Sequence, residues 1–299
     1  MKKVLVVYYS QTGQLRKILD KITNEIQDCE IEHFQIELEH KFPFPWNRKD
    51  FFSVMPDCVN EKAYPLVEKK PSSKDYDLII LGYQVWFLSP SIPLTSFLKS
   101  GLGAELLNGK NVMTVIGGRN MWVMAHESVK KSLKALNSNL IGNVALMDRA
   151  PNLISVVTII YWLFHNKTGR LLNLFPTPGV KEIDINKGEV VGKELSRAIQ
   201  NNSFSQLQNK IIEAKAVALK HDIISMETKA KRVFGVWATI INGAGKLGKF
   251  PKKIALFIFE IYLYLVIILI SPLISIFSTF VAIFRRKAIA KKMSYYSQV

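Results

Sequence analysis

The chain has little cysteine: two in 299 residues, Cys29 and Cys58. They form neither a CxxC pair nor the spacing of a disulfide framework. Histidine is also scarce, and no metal-ligand spacing links His33, His40, His165 and His221. We therefore expect two structural thiols in a reducing compartment, and no metal site.

Acidic residues are few as well, since 24 Asp and Glu stand against 40 Lys and Arg, a net charge of +16. Residues 241–299 contain nine of the basic residues and a single acid, Glu260. This charge flanks apolar sequence and does not belong to a module that interleaves arginine with exposed aromatics, so it indicates an anionic membrane surface and no nucleic acid. The apolar run at the start of the chain is too short for a secretory signal, which predicts an unsecreted protein.

An uncharged run over residues 261–284 is long enough for one membrane-spanning helix. However, Ser271-Pro272 divides it, and a single span would place basic residues on both sides of the membrane. For residues 254–284 a single span and a re-entrant hairpin both remain open, with the hairpin favoured. We expect this tail to bind membrane lipid at the cytoplasmic face of the inner membrane.

The first 200 residues alternate apolar runs with amphipathic segments, which predicts an α/β fold with a doubly wound, five-stranded parallel sheet. The predicted strands are 3–9, 30–38, 78–82, 112–116 and 140–148, and the predicted helices are 14–27, 92–100, 125–137 and 189–199. Between them, residues 40–75 form a connection rich in proline and aromatics. Loops of that length are usually functional or contain short helices of their own.

The second half of the chain predicts further helices. Residues 153–164 are nearly all apolar but too few to span a bilayer, so they form either a buried core helix or an interfacial element that lines a substrate site. One or two helices follow over 204–241, and their end resembles a membrane-interface helix. The segment Gly243–Gly248 matches GxGxxG, but no strand precedes it, which favours a flexible hinge. We expect three parts: residues 1–200, a helical linker or interface segment over 201–250, and a membrane segment over 251–299.

Three loops follow three successive strands of the predicted sheet. Ser10-Gln11-Thr12-Gly13-Gln14 joins a buried strand to a helix and offers hydroxyls, amides and a helix N-terminus, a combination that binds phosphate. Val85-Trp86-Phe87 follows the third strand, and Gly117-Gly118-Arg119-Asn120 follows the fourth. Because parallel strands end at one edge, these loops are expected to meet there. His126 begins a helix nearby, as either a capping or solvated residue or a proton-transfer group.

These loops resemble those of the flavodoxin-like FMN family. Val7–Gln14 matches the fingerprint of an apolar-aromatic pair, a hydroxyl residue and a glycine, but Leu15 stands where the family has Thr. The segment Gly82–Phe97 resembles the flavin-ring loop of flavin-dependent quinone reductases. The resemblance implies FMN as cofactor. The residues expected to bind it are Ser10, Gln11, Thr12, Gly13, Gln14, Leu15, Val85, Trp86, Phe87, Gly117, Gly118, Arg119 and Asn120.

A flavodoxin-like half followed by a basic, apolar tail is most similar to the dialkylresorcinol-forming enzymes of flexirubin and aryl-polyene pathways. That resemblance implies an FMN-dependent, aromatising oxidoreductase. It would oxidise a lipophilic alkyl cyclohexanedione at the membrane, with a ketosynthase as partner protein. A membrane-anchored electron carrier or quinone reductase is the alternative, and a scaffold whose flavin site has lapsed is a third. The catalytic residues cannot be identified from the sequence.

Overall fold

A five-stranded parallel sheet forms the centre of the protein. The computed structural model describes residues 1–270, 273 and 285–299. Its strands are β1 (Lys2–Tyr8), β2 (Cys29–Gln35), β3 (Leu78–Tyr83), the two-residue strands β4 (Val85–Trp86) and β5 (Ser89–Pro90), β6 (Asn111–Gly118) and β7 (Asn139–Met147). The sheet has the order β2-β1-β3-β6-β7, with all neighbours parallel, while β4 and β5 form a separate antiparallel hairpin. This is the flavodoxin-like 2-1-3-4-5 order, which confirms the predicted fold class.

The strands are apolar on both faces because helices cover both sides of the sheet. Residues 4–7 of β1 and 78–81 of β3 are completely buried. Such continuous runs, rich in Val, Ile and Leu, are typical of central parallel strands. Strand β2 lies at the edge, where its alternation is weaker, and it ends at Gln35 and not at residue 38 as predicted.

Thirteen helices are described in the ranges given above. They are α1 (Gln14–Thr23), α2 (Arg48–Ser53), α3 (Met55–Val59), α4 (Ile92–Leu98), α5 (Gly101–Leu107), α6 (Val123–Ala135), α7 (Asn152–His165), α8 (Glu182–Ile185), α9 (Lys187–Gln200), α10 (Leu207–Glu213), α11 (His221–Leu247), α12 (Lys249–Leu265) and α13 (Arg286–Ser297). A 3₁₀ turn covers Leu171–Asn173 and a π-helical turn covers Val266–Ile270. Helices α1, α9 and α10 contribute to the core on one side of the sheet, and α4, α5 and α6 to the core on the other.

The long connection after β2 contains the short helices α2 and α3, one of its two predicted forms. They face the C-terminal helices, since Phe52 and Met55 pack in one cluster with Ile241 of α11 and Phe259 of α12. Glu260 is buried in the same region and forms an ion pair with Arg48 of α2. Hydrophobic burial and this ion pair therefore hold α12 against the sheet domain.

Residues 243–247 are helical, which corrects the predicted hinge over Gly243–Gly248. They complete α11, and only Gly248, with φ of 132°, separates α11 from α12. An L-residue rarely adopts that backbone conformation, so the break is confined to one glycine.

The described part of the apolar tail comprises α12 and the π-helical turn. Within the described ranges, none of the helices combines the length and apolarity needed to cross a bilayer. Residues 271–272 and 274–284 of the predicted membrane segment lie outside the described residues. Beyond them α13 returns to the sheet domain, where the Ser297 carbonyl accepts a 2.6 Å hydrogen bond from Gln208.

Candidate functional site

A cavity of about 200 Å³ lies at the carboxyl edge of the sheet. It is bounded by the loops after β1 and β6, by the β4–β5 hairpin, by α7 and by residues 46–54. Its lining consists of Gln11, Thr12, Gln14, Leu15, Trp46, Phe51, Val54, Gln84, Val85, Trp86, Phe87, Gly117, Gly118, Arg119, Ile159, Trp162, Leu163 and Gly179. All three predicted loops thus contribute to one site.

The loop after β1 is shaped by Gly13, whose φ of 79° lies in the left-handed region and lets the chain turn into α1. The Thr12 hydroxyl accepts a 3.5 Å hydrogen bond from the Gln14 amide. The Gln14 side chain bonds both to the amide and to the carbonyl of Val180. This pair of bonds fastens the loop to the segment that follows α7.

Ser10 and Gly13 do not line the cavity. The Ser10 hydroxyl accepts a 3.4 Å hydrogen bond from the amide of Arg16, in the first turn of α1. Leu15 does line it, but its side chain is 1% exposed and belongs to the core under the sheet. An apolar residue is stable here because the position faces both the core and the cavity.

The hairpin after β3 presents aromatic residues to the cavity. Its turn residues Phe87 and Leu88 have φ of 47° and 59°, values that bulky side chains rarely adopt. Such conformations cost roughly 1–3 kcal/mol each and concentrate at functional sites. The hairpin is held by Cys58, whose buried thiol donates hydrogen bonds to the carbonyls of Trp86 and Pro90.

The segment rich in proline and aromatic residues, within residues 40–75, covers the loop after β1 that is predicted to bind phosphate. The indole of Trp46 donates a 2.9 Å hydrogen bond to the Gln11 side chain, which in turn donates to the carbonyl of Pro43. Trp46 also packs edge-on against Trp86, with ring centroids 5.6 Å apart, and stacks on Phe42 at 5.5 Å. Aromatic rings therefore form a roof over the cavity. The Gln11 side chain connects this roof by hydrogen bonds to the loop after β1.

Arg119 brings a positive charge to the cavity wall. Its guanidinium donates hydrogen bonds to the carbonyl and side-chain oxygens of Asn152, at 3.3 and 3.0 Å. Burial lowers the pKa of Arg119 to about 10, although Asp148 and Glu227 oppose the shift. The group remains charged at neutral pH, and no salt bridge from it to a carboxylate is found among the described residues.

The other residues of the loop after β6 have different roles. At Gly118 an added Cβ would meet no atom within 4 Å, so the backbone there borders open space. At Gly117 a Cβ would lie 2.7 Å from the terminal methyl of Ile18, so a side chain there would have to displace that methyl of α1. Asn120 lies outside the cavity; it is buried and lines a second cavity with residues that include 146–149 and 217–220.

His126 is neither a cap nor a solvated residue. It is 2% exposed, its Nδ1 lies 3.0 Å from the Tyr83 hydroxyl, and burial lowers its pKa to about 3. It does not line the cavity. A neutral, enclosed imidazole is unsuited to exchanging protons with a ligand there.

The sequence offered the wall made by α7 only as one of two alternatives, and it gave no indication of the buried acid Glu227. Ile159, Trp162 and Leu163 of α7 line the cavity, which agrees with the substrate-lining alternative for residues 153–164. Glu227 accepts a 2.8 Å hydrogen bond from the Met124 amide at the start of α6, and burial raises its pKa to about 7. The sequence feature that could have revealed Glu227 is its position four residues after Ile223, on the apolar face of a helix.

No family model matches the chain, and none of the curated proteins matches it. Among solved structures, it is similar to a flavoprotein in complex with FMN from Lactobacillus acidophilus, with 22% identity over 48% of this chain and 92% of that one, and a TM-score of 0.37. It is similar to a putative flavoprotein from Bacteroides uniformis, with 21% identity, 54% and 97% coverage and a TM-score of 0.38. It is also similar to a WrbA-like flavodoxin protein from Agrobacterium tumefaciens, with 11% identity, 67% and 99% coverage and a TM-score of 0.37.

Proposed function

We propose that the chain is an FMN-dependent oxidoreductase that oxidises an apolar alkyl cyclohexanedione to a dialkylresorcinol at a membrane surface. The observation that carries this proposal is the position of the cavity. It lies beside the switch point between β1 and β3, where sheets of this strand order bind FMN. An alternating α/β fold alone would not distinguish an oxidoreductase from other nucleotide-binding proteins.

The residues at the cavity fit FMN. Thr12 and the N-terminus of α1 offer donors for a phosphate, and the open space beside Gly118 suits the edge of a flat ring. The positive charge of Arg119 suits an anionic ligand. Because about 200 Å³ is below the 300–1,000 Å³ of common ligand sites, we expect the aromatic roof around Trp46 to move outward when the ring enters.

The proposed oxidation removes one hydride and one proton from the cyclohexanedione ring. Bound FMN would supply the hydride acceptor. Ile159, Trp162 and Leu163 form an apolar wall that excludes water and suits an apolar ring. Arg119 favours an anionic, enolised form of the dione, because its charge is fixed in a poorly solvated place.

The surface of the α11–α12 hairpin supports membrane binding. Leu247, Phe250 and Phe257 are 81%, 73% and 57% exposed. Lysines accompany them in the sequence, at positions 246, 249, 252 and 253. An apolar face bordered by cations is the arrangement by which amphipathic helices bind anionic leaflets, each cation adding about 1 kcal/mol where it reaches the surface. A dialkyl substrate would be concentrated in the same leaflet.

Anaerobic mixing of the FMN-loaded protein with alkyl cyclohexanediones tests the proposed function. We expect bleaching of the flavin absorbance with formation of one resorcinol for each flavin reduced. A dione with two methyl groups on one ring carbon is the matched control, since it cannot become aromatic. If no dione bleaches the flavin while a reduced protein partner does, the chain is an electron carrier and the enzyme proposal is wrong.

A further inference from the structure

The second cavity lies next to the cavity proposed for FMN along the loop after β6, since Arg119 lines one and Asn120 lines the other. Its volume is about 460 Å³. The end of β7, α8, the start of α9 and the segment 215–220 enclose it, and that segment is bridged in parallel to β7 at Ala145. Common ligand sites have volumes of about 300–1,000 Å³, and open α/β sheets bind ligands at the carboxyl ends of their strands. The second cavity therefore has the size and the position of a ligand site.

Asn120 brings an amide without a partner to the wall of this cavity. It is 9% exposed, and neither its Oδ1 nor its Nδ2 has a hydrogen-bond partner among the described residues. Buried polar groups are nearly always hydrogen-bonded, so an unpaired amide at a cavity wall indicates a ligand that pairs with it. An amide offers a donor and an acceptor side by side, the combination by which asparagine pairs with the edge of a nucleobase. Leu146, Val217 and Leu219 add apolar wall, which suits a flat base.

Asp184 supplies an acceptor that the described part of the chain leaves unused. Its Oδ1 forms ion pairs with Arg149 and Lys187, whereas its buried Oδ2 has no hydrogen-bond partner among the described residues. Burial opposes the charge of Asp184, but hydrogen bonds from the two cations lower its pKa, so the group is a carboxylate at neutral pH. A carboxylate accepts hydrogen bonds and donates none, so the ligand must bring a donor. Sugar hydroxyls are such donors, and an acidic residue binds the ribose in dinucleotide-binding sheets.

Two lysines complete the lining. Lys215 and Lys220 are exposed, and neither forms an ion pair with a carboxylate within the described ranges. The second carboxylate of the lining, Asp148, already accepts hydrogen bonds from the Ala150 amide and the Ser155 hydroxyl. Both lysines are therefore available to an anionic group of a ligand, and phosphate is an anion that lysine binds well.

We propose that the second cavity binds a nucleoside 5′-phosphate. Lys215 and Lys220 would hold the phosphate, Asp184 the ribose hydroxyls and the Asn120 amide the base. A fatty acid would leave Asp184 without a donor, and an uncharged nucleoside would leave both lysines unused. The site does not share its lining with the cavity proposed for FMN, so the proposal is independent of the reaction proposed there.

Calorimetric titration of AMP, GMP, CMP and UMP into the full-length chain tests the site. We expect one saturable site for at least one of the four nucleotides. The double change Lys215→Gln/Lys220→Gln should weaken the tightest nucleotide at least about tenfold, since both phosphate contacts are lost. Lys131→Gln/Lys134→Gln is the matched control, because these two exposed lysines of α6 line neither cavity. Absence of saturable binding by the parent, or equal affinity in the two double variants, would overturn the proposal.

Asn120→Leu tests the contact with the base. The variant should melt no lower than the parent, because no described residue bonds to the Asn120 amide. It should weaken the tightest nucleotide at least about tenfold and bind ribose 5-phosphate as the parent does. Parent affinity for the nucleotide in a folded Asn120→Leu chain would contradict the site.

Two further titrations separate the second cavity from other sources of binding. Thr12→Val changes the cavity proposed for FMN and should leave nucleotide affinity unchanged. A loss in Thr12→Val equal to that in the Lys215/Lys220 variant would assign the nucleotide to the other cavity, against the proposal. Inorganic phosphate should bind the parent at least about tenfold more weakly than the tightest nucleotide. Equal affinity for phosphate would reduce the site to a simple anion site and overturn the assignment of base and ribose contacts.

Discussion

Arg119 is a half-buried cation that donates hydrogen bonds to Asn152. The carboxylates of Asp148 and Glu227 favour its charge from a distance, although no salt bridge joins either to it among the described residues. A poorly solvated charge that lacks a close ion-pair partner is costly, and a ligand of opposite charge would stabilise it. If FMN occupies the cavity as proposed, the negative charge that a flavin gains on reduction would interact favourably with the Arg119 guanidinium. On that proposal, Arg119 would raise the redox potential of the bound flavin.

Replacing Arg119 by Gln should lower the midpoint potential of bound FMN by roughly 30–60 mV, which corresponds to about 1.4–3 kcal/mol for a two-electron couple. Potentiometric titration of the FMN-loaded protein measures this shift. Arg149→Gln is the control, because Arg149 forms an ion pair with Asp184 outside the cavity. An unchanged potential in Arg119→Gln would show that the guanidinium does not face the flavin.

The Thr12 hydroxyl should bind the FMN phosphate. Hydrogen bonds to charged groups contribute about 1.5–3 kcal/mol, so Thr12→Val should weaken FMN at least about tenfold in a fluorescence titration. Ser10→Ala should have a smaller effect, since Ser10 does not line the cavity. Thr23→Val, at the other end of α1, is the matched control. Equal affinity in Thr12→Val and Thr23→Val would contradict the placement of the phosphate.

At the scale of elements, α11 joins the site to the rest of the molecule through the buried side chain of Glu227 and the half-buried side chain of Lys231. Glu227 accepts a hydrogen bond from the amide of Met124 at the start of α6. One turn later, Lys231 donates to the Ser89 hydroxyl in the β4–β5 hairpin, and burial lowers the pKa of this lysine. The helix thus contacts both α6, which follows the cavity loop after β6, and the hairpin after β3, which lines the cavity.

Glu227 should make stability depend on pH. Its pKa is about 7 in the folded state and near 4.5 when exposed, so the folded protein binds more protons between these values. Stability contributed by this group is then present below pH 4.5 and lost as the pH rises towards and beyond 7. The isosteric change Glu227→Gln keeps the hydrogen bond to Met124 and removes the titration.

Urea unfolding at several pH values measures this effect. Relative to the parent, Glu227→Gln should gain stability from pH 4.5 to pH 8, by up to about 3 kcal/mol. Taking the difference from the parent cancels other groups, such as His126. Glu213→Gln is the control, because the Glu213 side chain is 64% exposed. A difference that does not vary with pH would mean that Glu227 is ionised in the folded state.

The sheet could be read from the sequence because its strands are continuous apolar runs. Strands β3, β6 and β7 lie within a residue or two of their predicted bounds, and the loops that follow them meet as expected. The aromatic roof could not be predicted in the same way, and the apolar run over residues 153–164 left the α7 wall as one of two alternatives. Trp46 and Trp162 reach the cavity through tertiary contacts, with Gln11 and with Gly179, that have no local signature.

At the scale of the whole molecule, apolar exposure is concentrated on the C-terminal helices. Residues of α12 such as Phe257 and Ile261 are 57% and 44% exposed, whereas the opposite face of the same helix buries Phe259. A large exposed apolar patch on a protein is typical of an interaction surface. The assignment of residues 251–299 to a membrane segment stays a prediction. The contacts of α12 with α2 hold the first part of that segment against the sheet domain.

The full-length protein should sediment with vesicles that contain phosphatidylglycerol and less with neutral vesicles. Sedimentation should weaken as salt rises, since screening reduces the lysine contribution. The double change Phe257→Glu/Ile261→Glu should abolish it. Val190→Glu/Ile183→Glu is the matched control, because both residues are exposed on α9 and α8. Sedimentation of the α12 variant at the parent level would refute membrane docking through this face.

FMN binding in the cavity beside the loops after β1 and β6 is the central prediction for this protein. Fluorescence titration of FMN into the full-length parent and into Gly118→Leu tests this directly, because a Cβ at Gly118 meets no protein atom within 4 Å and a leucine there should extend into the proposed ring site. We predict one saturable FMN site per chain in the parent, unchanged in Gly101→Leu, and at least about a hundredfold weaker in Gly118→Leu, the effect of about 3 kcal/mol. Equal FMN affinity in Gly118→Leu and the parent, or no binding by the parent, would contradict the account.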